Sequence, residues 1–88
     1  MAVFAVLADK ANISLGSKIK ELYPKDFYEI STAQWLVATD TTARSVADRL
    51  SIREGAFNRA IVAPLSGMPS GWQSKSMWDW LREKGLPS

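Results

Sequence analysis

Residues 34–50 read QWLVATDTTARSVADRL and contain the two hydrophobic periods that decide the fold. The first six residues form a short apolar run rich in strand formers, which predicts a strand over 34–39. The cluster Asp40, Thr41 and Thr42 then supplies candidate helix caps. Four apolar residues follow at positions i, i+3, i+4 and i+7, namely Ala43, Val46, Ala47 and Leu50. The segment therefore predicts a strand that leads directly into an amphipathic helix.

Two more strands and a helix precede this segment. Residues 3–8 are apolar on both alternating faces, as in a strand covered on both sides. Asn12 or Ser14 caps a predicted helix that ends before Pro24. Its apolar stripe consists of Leu15, Ile19 and Leu22. Residues 27–31 predict a second strand, which forms a hairpin with the strand over 34–39.

The last third of the chain predicts one strand, one loop and one helix. Residues 57–63 predict a fourth strand that Pro64 ends. A loop rich in glycine, proline and serine follows, and the last helix is expected to start near Ser74 or Ser76. Gly85 is the expected C-cap of that helix.

The predicted order is thus β-α-β-β-α-β with an added C-terminal helix. This is the order of the ferredoxin-like fold, an α+β fold with a four-stranded antiparallel sheet and two helices on one face. We expect one such domain over residues 1–88, with a tryptophan-rich loop and helix at about 66–85. Because residues 3–8 are apolar on both sides, the C-terminal helix, a second subunit or a ligand must cover the other face.

Composition removes several kinds of chemistry. The chain has no cysteine and no histidine, which excludes disulfides, thiolate nucleophiles and the commonest metal ligand and general base. The net charge of +2 is spread along the chain. The apolar N-terminus lacks a basic leader and meets Asp9-Lys10, so it predicts a strand instead of a signal peptide or membrane span. We expect a cytoplasmic protein with no membrane contact and no cofactor.

Three tryptophans form the clearest candidate for partner binding. Trp72, Trp78 and Trp80 lie within nine residues, and tryptophan is enriched at protein interfaces. Trp78 and Trp80 lie about 200° apart on a helix, so they cannot both face inward. One of them is therefore expected to be partly exposed or at an interface, and we expect a homodimer. The competing interpretation is that these tryptophans form the core of the small domain itself.

Arg44, Arg49 and Arg53 form a modest basic stripe along and just past the second helix. The stripe is a candidate nucleic-acid-binding surface. Acidic residues at positions 48 and 54 are interleaved with it, so a solvated helix face is the competing interpretation.

Asp9 follows the end of the first strand, where a carboxylate projects over the sheet edge. It is a candidate catalytic and metal-binding residue, although one carboxylate binds Mg²⁺ poorly without a second one or substrate phosphates. The competing interpretation is an aspartate that starts a turn or helps to cap the next helix.

Residues 35–50, WLVATDTTARSVADRL, resemble the third strand and second helix of largely uncharacterised short bacterial proteins. These proteins are similar to the small CRISPR spacer-acquisition endonuclease and to virulence-associated toxin ribonucleases. The resemblance covers residues 3–65 and implies a ferredoxin-like fold, a dimer through the sheet and an association with nucleic acid. In the endonuclease branch it implies that Asp9 binds metal, although Ala8 stands where that branch carries an aromatic residue.

Three function classes follow from these patterns. The first is a non-enzymatic, homo-oligomeric interaction or regulatory domain of the bacterial cytoplasm. The second is a metal-dependent nuclease or nucleic-acid-binding protein, with Mg²⁺ as its cofactor. The third is a small-molecule-binding domain, because such pockets leave little trace in a sequence.

Overall fold

A computed structural model describes residues 2–65 and 74–85, which form an α+β domain. The described elements are β1 (Ala2–Ala8), α1 (Ile13–Leu22), β2 (Phe27–Ser31), β3 (Gln34–Thr39), α2 (Ala43–Arg49), β4 (Ala60–Leu65) and α3 (Lys75–Glu83). The four strands form one antiparallel sheet in the order β2-β3-β1-β4. The predicted α+β class with a four-stranded antiparallel sheet is confirmed, and the architecture is compatible with a ferredoxin-like fold.

Each described helix begins at a polar residue that caps it. Asn12, Thr42 and Ser74 precede α1, α2 and α3, and their side-chain oxygens accept the backbone N–H three residues later at 3.0–3.3 Å. These bonds satisfy N–H groups that have no partner within the helix. All three caps were among the residues that the sequence predicts for these positions.

Helices α1 and α2 pack against one face of the sheet. The main buried residues of this layer are Phe4, Val6, Leu15, Ile19, Trp35, Val37, Val46 and Leu50. Trp35 is 1% exposed and lies directly beneath α1 at Gly16. A Cβ atom at Gly16 would come within 3.2 Å of the Trp35 ring, so the glycine allows this close approach.

Helix α3 packs against the opposite face. The buried residues of this second layer are Val3, Ala5, Leu36, Ala38 and Leu81. Met77, Trp78 and Trp80 of α3 are half-buried against them. Both faces of β1 are thus covered, as its two-sided apolar pattern predicts, and the C-terminal helix covers the second face over this cluster.

The fourth strand differs from its prediction in both bounds. It runs over Ala60–Leu65 instead of 57–63. Asn58 has a φ of +63°, a left-handed conformation that cannot continue a strand. Pro64 does not end the strand but pairs opposite Phe4 on β1. Proline is tolerated here because β4 is an edge strand.

Candidate interaction surface

The tryptophans of α3 pack against their own domain. Trp78 and Trp80 are both half-buried on the second layer, and the Trp80 ring centroid lies 6.0 Å from that of Tyr28. Trp72 lies outside the described residues. The described part of the tryptophan cluster therefore serves first to dock α3 on the sheet.

Polar contacts hold both ends of α3 near β2. The Tyr28 hydroxyl lies 3.1 Å from Ser74 Oγ and 2.6 Å from Ser76 Oγ at the start of the helix. At its end, Lys84 Nζ donates to Asp26 Oδ1 at 2.7 Å and to the Lys25 carbonyl at 3.2 Å. These contacts fix the position of α3 over the β2 side of the sheet.

The outer face of α3 carries an ion pair network centred on Asp79. Arg82 donates a hydrogen bond to the carboxylate, and Lys75 Nζ lies 3.5 Å from it. The hydrogen bond from Arg82, with a smaller contribution from Lys75, holds the pKa of Asp79 below its usual range. The network lies on an exposed surface, so it adds little to stability.

Asp9 lies in a hollow of about 340 Å³ at the end of β1, together with Lys10, Asn12, Asn58 and Arg59. It is exposed, and its nearest charged partner is a cation, Arg59 Nη1 at 3.8 Å. Within residues 2–65 and 74–85, no three acidic, histidine or cysteine side chains come together as a metal-binding group. A guanidinium beside a single carboxylate does not fit a Mg²⁺ site, which needs several oxygen ligands.

The three arginines of the predicted stripe separate into two groups. Arg44 and Arg53 line one shallow hollow beside β4, and Arg53 Nη1 also lies 3.3 Å from Asp48 Oδ1. Arg49 instead lies over the Tyr23 ring, 5.0 Å from its centroid. Two of the three arginines are therefore brought together, and the third contacts α1's C-terminal end.

The two edges of the sheet differ in their capacity to bind another strand. On β4, Asp9 N–H donates to the Arg59 carbonyl at 3.3 Å. Because bonded and non-bonded pairs alternate in an antiparallel ladder, the backbone groups of Ala60, Val62 and Pro64 point away from β1. Pro64 has no N–H, so the outer edge of β4 lacks a donor at this position.

The outer edge of β2 contains no proline. Ala38 N–H donates to the Asp26 carbonyl at 2.8 Å, and the same alternation makes the Phe27 and Glu29 backbone groups point outward. No hydrogen bond from the described part of the chain reaches these groups. We refer to the outward backbone groups of Phe27 and Glu29 as the β2 edge.

A groove of about 370 Å³ runs along the β2 edge, between α1 and β2. Its apolar part consists of Ile13, Gly16, Phe27 and Trp35, and its charged groups are Lys20 and Glu29. Ile13 is 82% exposed, and Trp35 Nε1 donates to Glu29 Oε1 at 3.4 Å. We refer to these six residues as the α1–β2 groove. Its apolar part lies beside backbone groups of β2 that point away from β3 and have no partner within residues 2–65 and 74–85, which suits the binding of an extended chain.

Local sequence patterns do not reveal this groove. Ile13 lies two residues from Leu15, so it falls outside the apolar stripe that packs α1 on the sheet. It therefore adds apolar surface at the groove instead of packing in the core. The free edge beside it depends on strand order, which local sequence does not encode.

Comparisons with protein-family models, curated proteins and solved structures found no match for this chain. None of the helices in the described ranges has the length and apolar character that crossing a membrane requires.

Proposed function

We propose that this chain is a non-enzymatic interaction domain of ferredoxin-like fold that works as a homo-oligomer in the bacterial cytoplasm. Its binding surface is the β2 edge together with the α1–β2 groove. A polypeptide partner adds a strand at this edge and places side chains in the groove. The role needs no metal ion and no cofactor.

The difference between the two sheet edges carries this proposal. Pro64 removes a donor from the β4 edge, which is a common protection against unwanted strand pairing. Phe27 and Glu29 leave the β2 edge with both donors and acceptors in place.

The exposure of Ile13 supports the same surface. It is 82% exposed beside Phe27 and the floor formed by Trp35. Covering an apolar side chain of this size contributes roughly 1.5–3 kcal/mol when burial is complete. A strand at β2 would cover it without any rearrangement of the core.

The oligomeric state tests this proposal. We expect light scattering after gel filtration to give a mass above the 9.7 kDa of one chain at about 100 µM, with dissociation on dilution because a small interface binds weakly. Glu29→Pro removes an outward donor from β2 and no backbone bond within the sheet. It also removes the carboxylate that accepts from Trp35 Nε1, so circular dichroism must show that the variant is folded. This variant should be folded and monomeric.

Ala60→Pro is the matched control, because it removes an outward donor from the β4 edge instead. It should associate as the original chain does. A single-chain mass at the highest concentration would overturn the proposal. Association that survives in a folded Glu29→Pro variant would show that another surface is used.

A further inference from the structure

We infer that the strand added at the β2 edge is β2 of a second copy, in a two-fold register that places Phe27 of each copy opposite Glu29 of the other. This inference rests on the proposed function and names its partner. It follows from which backbone groups point outward, where β2 ends, and where the charges of the groove lie.

Only three antiparallel registers pair the outward groups of β2 with themselves. Phe27 opposite Phe27 leaves one strand residue in register, because β2 begins there. Glu29 opposite Glu29 places two carboxylates face to face, which is destabilising. It also runs the pairing past a bulge between Glu29 and Ser31. The remaining register centres on Tyr28 and places Phe27 opposite Glu29.

The course of α1 places Lys20 at the Phe27 end of the groove. Asn12 N–H donates to the Thr32 carbonyl at 2.9 Å, so α1 begins near the end of β2. Asp26 N–H donates to the Tyr23 carbonyl at 3.1 Å, so α1 ends near the start of β2. Helix and strand are therefore antiparallel, and Lys20 in the last turn lies beside Phe27.

The register centred on Tyr28 makes the groove charges complementary. Glu29 of the second copy lies across from Phe27 and therefore beside Lys20. The two-fold axis repeats this pair, so the interface contains two Lys20–Glu29 ion pairs between copies. Such pairs select the register and orientation of association.

Self-pairing at β4 would have the opposite electrostatic result. Arg44 and Arg53 line the hollow beside that strand, and Arg53 is paired with Asp48. Two copies joined there would bring together two Arg44 guanidinium groups, for which the described residues of the hollow supply no acidic partner. Like charges at an interface suppress association. Comparison of the two sheet edges therefore favours β2 over β4 for contact between identical chains.

Charge reversal at the two positions tests the inference. Lys20→Glu and Glu29→Lys each replace two attractive pairs by two repulsive ones, and each should raise the dimer dissociation constant about tenfold or more. The double variant K20E/E29K restores both attractions and should dimerise again. An equimolar mixture of the two single variants should form a heterodimer, because the carboxylates of one variant then face the ammonium groups of the other at both pairs. Sedimentation velocity at about 50 mM salt, where screening is modest, measures all four samples.

Lys10→Glu is the matched control, because it makes the same change in net charge as Lys20→Glu at an exposed position outside the groove. It should dimerise as the original chain does. If Glu29→Pro abolishes the dimer but neither charge reversal weakens it, the register is wrong while the proposed function stands. Assemblies larger than a dimer would also overturn the inference, since a two-fold contact closes. If the original chain is a monomer, the proposed function fails with it.

Discussion

At the scale of single residues, two tyrosines differ in the hydrogen bonding of their hydroxyl groups. Tyr23 is 5% exposed, and its hydroxyl has no hydrogen-bond partner among the described residues. Its ring instead makes a cation–π contact with the Arg49 guanidinium. The Tyr28 hydroxyl is bonded to both Ser74 and Ser76. Burial of an unpaired hydroxyl is costly, whereas a paired one contributes to stability.

We therefore expect Tyr23→Phe and Tyr28→Phe to differ in their effect on the free energy of unfolding. Tyr23→Phe should leave the free energy of unfolding unchanged or raise it by up to about 1 kcal/mol, because it removes an unpaired buried group. Tyr28→Phe should lower it by about 0.5–1.5 kcal/mol through the lost hydrogen bonds. Urea titration of the two variants measures the difference. A larger loss for Tyr23→Phe would mean that its hydroxyl has a partner.

At the scale of elements, α3 depends on the sheet for its stability. A helix of nine residues is marginal by itself in water, so its docking contacts must stabilise it. Leu81 is 2% exposed in the second layer. The Lys84 side chain is 13% exposed, bonds Asp26, and lies over the Trp80 ring with Nζ 5.9 Å from the centroid. Tertiary contacts thus supply most of the stability of this helix.

Variants of the two lysines at opposite ends of α3 compare a contact that docks the helix with an exposed ion pair. Lys84→Ala should lower the free energy of unfolding by about 1–3 kcal/mol, because it leaves a partly buried carboxylate without its partner. Lys75→Ala should change it by less than about 0.5 kcal/mol, since Lys75 is 89% exposed. Denaturant unfolding followed by tryptophan fluorescence measures both. Equal effects would contradict the docking role of Lys84.

At the scale of the whole molecule, the domain is small for its apolar content. A chain of this size buries only about 60% of its unfolded surface, and Ile13 and Ile61 remain 82% and 60% exposed. Helix α3 covers the second layer, and the two exposed isoleucines lie at the α1–β2 groove and on β4. Association at that groove would add burial that a single chain does not achieve.

Thermal stability should therefore depend on protein concentration. Binding that favours the folded state raises Tm by mass action, and we expect a rise of a few degrees over about a hundredfold increase in concentration. Scanning calorimetry of the original chain and of Glu29→Pro measures this. The variant should show a Tm that does not change with concentration. A concentration-independent Tm for the original chain would contradict association through folded domains.

Local sequence determined the helices, their caps and the first three strands, because a period of two or 3.6 and a capping side chain act within a few residues. It did not give the bounds of β4, which depend on the left-handed Asn58 and on pairing with β1. The two-sided apolar pattern of residues 3–8 likewise predicts that both faces of the sheet are covered. Tertiary structure decided the strand order. It also decided that the backbone of Pro64 faces away from β1 and that Lys20 and Glu29 line one groove. Each depends on contacts between residues far apart in the chain, which local patterns do not encode. The free β2 edge exists only because β3, and no other described strand, pairs with β2.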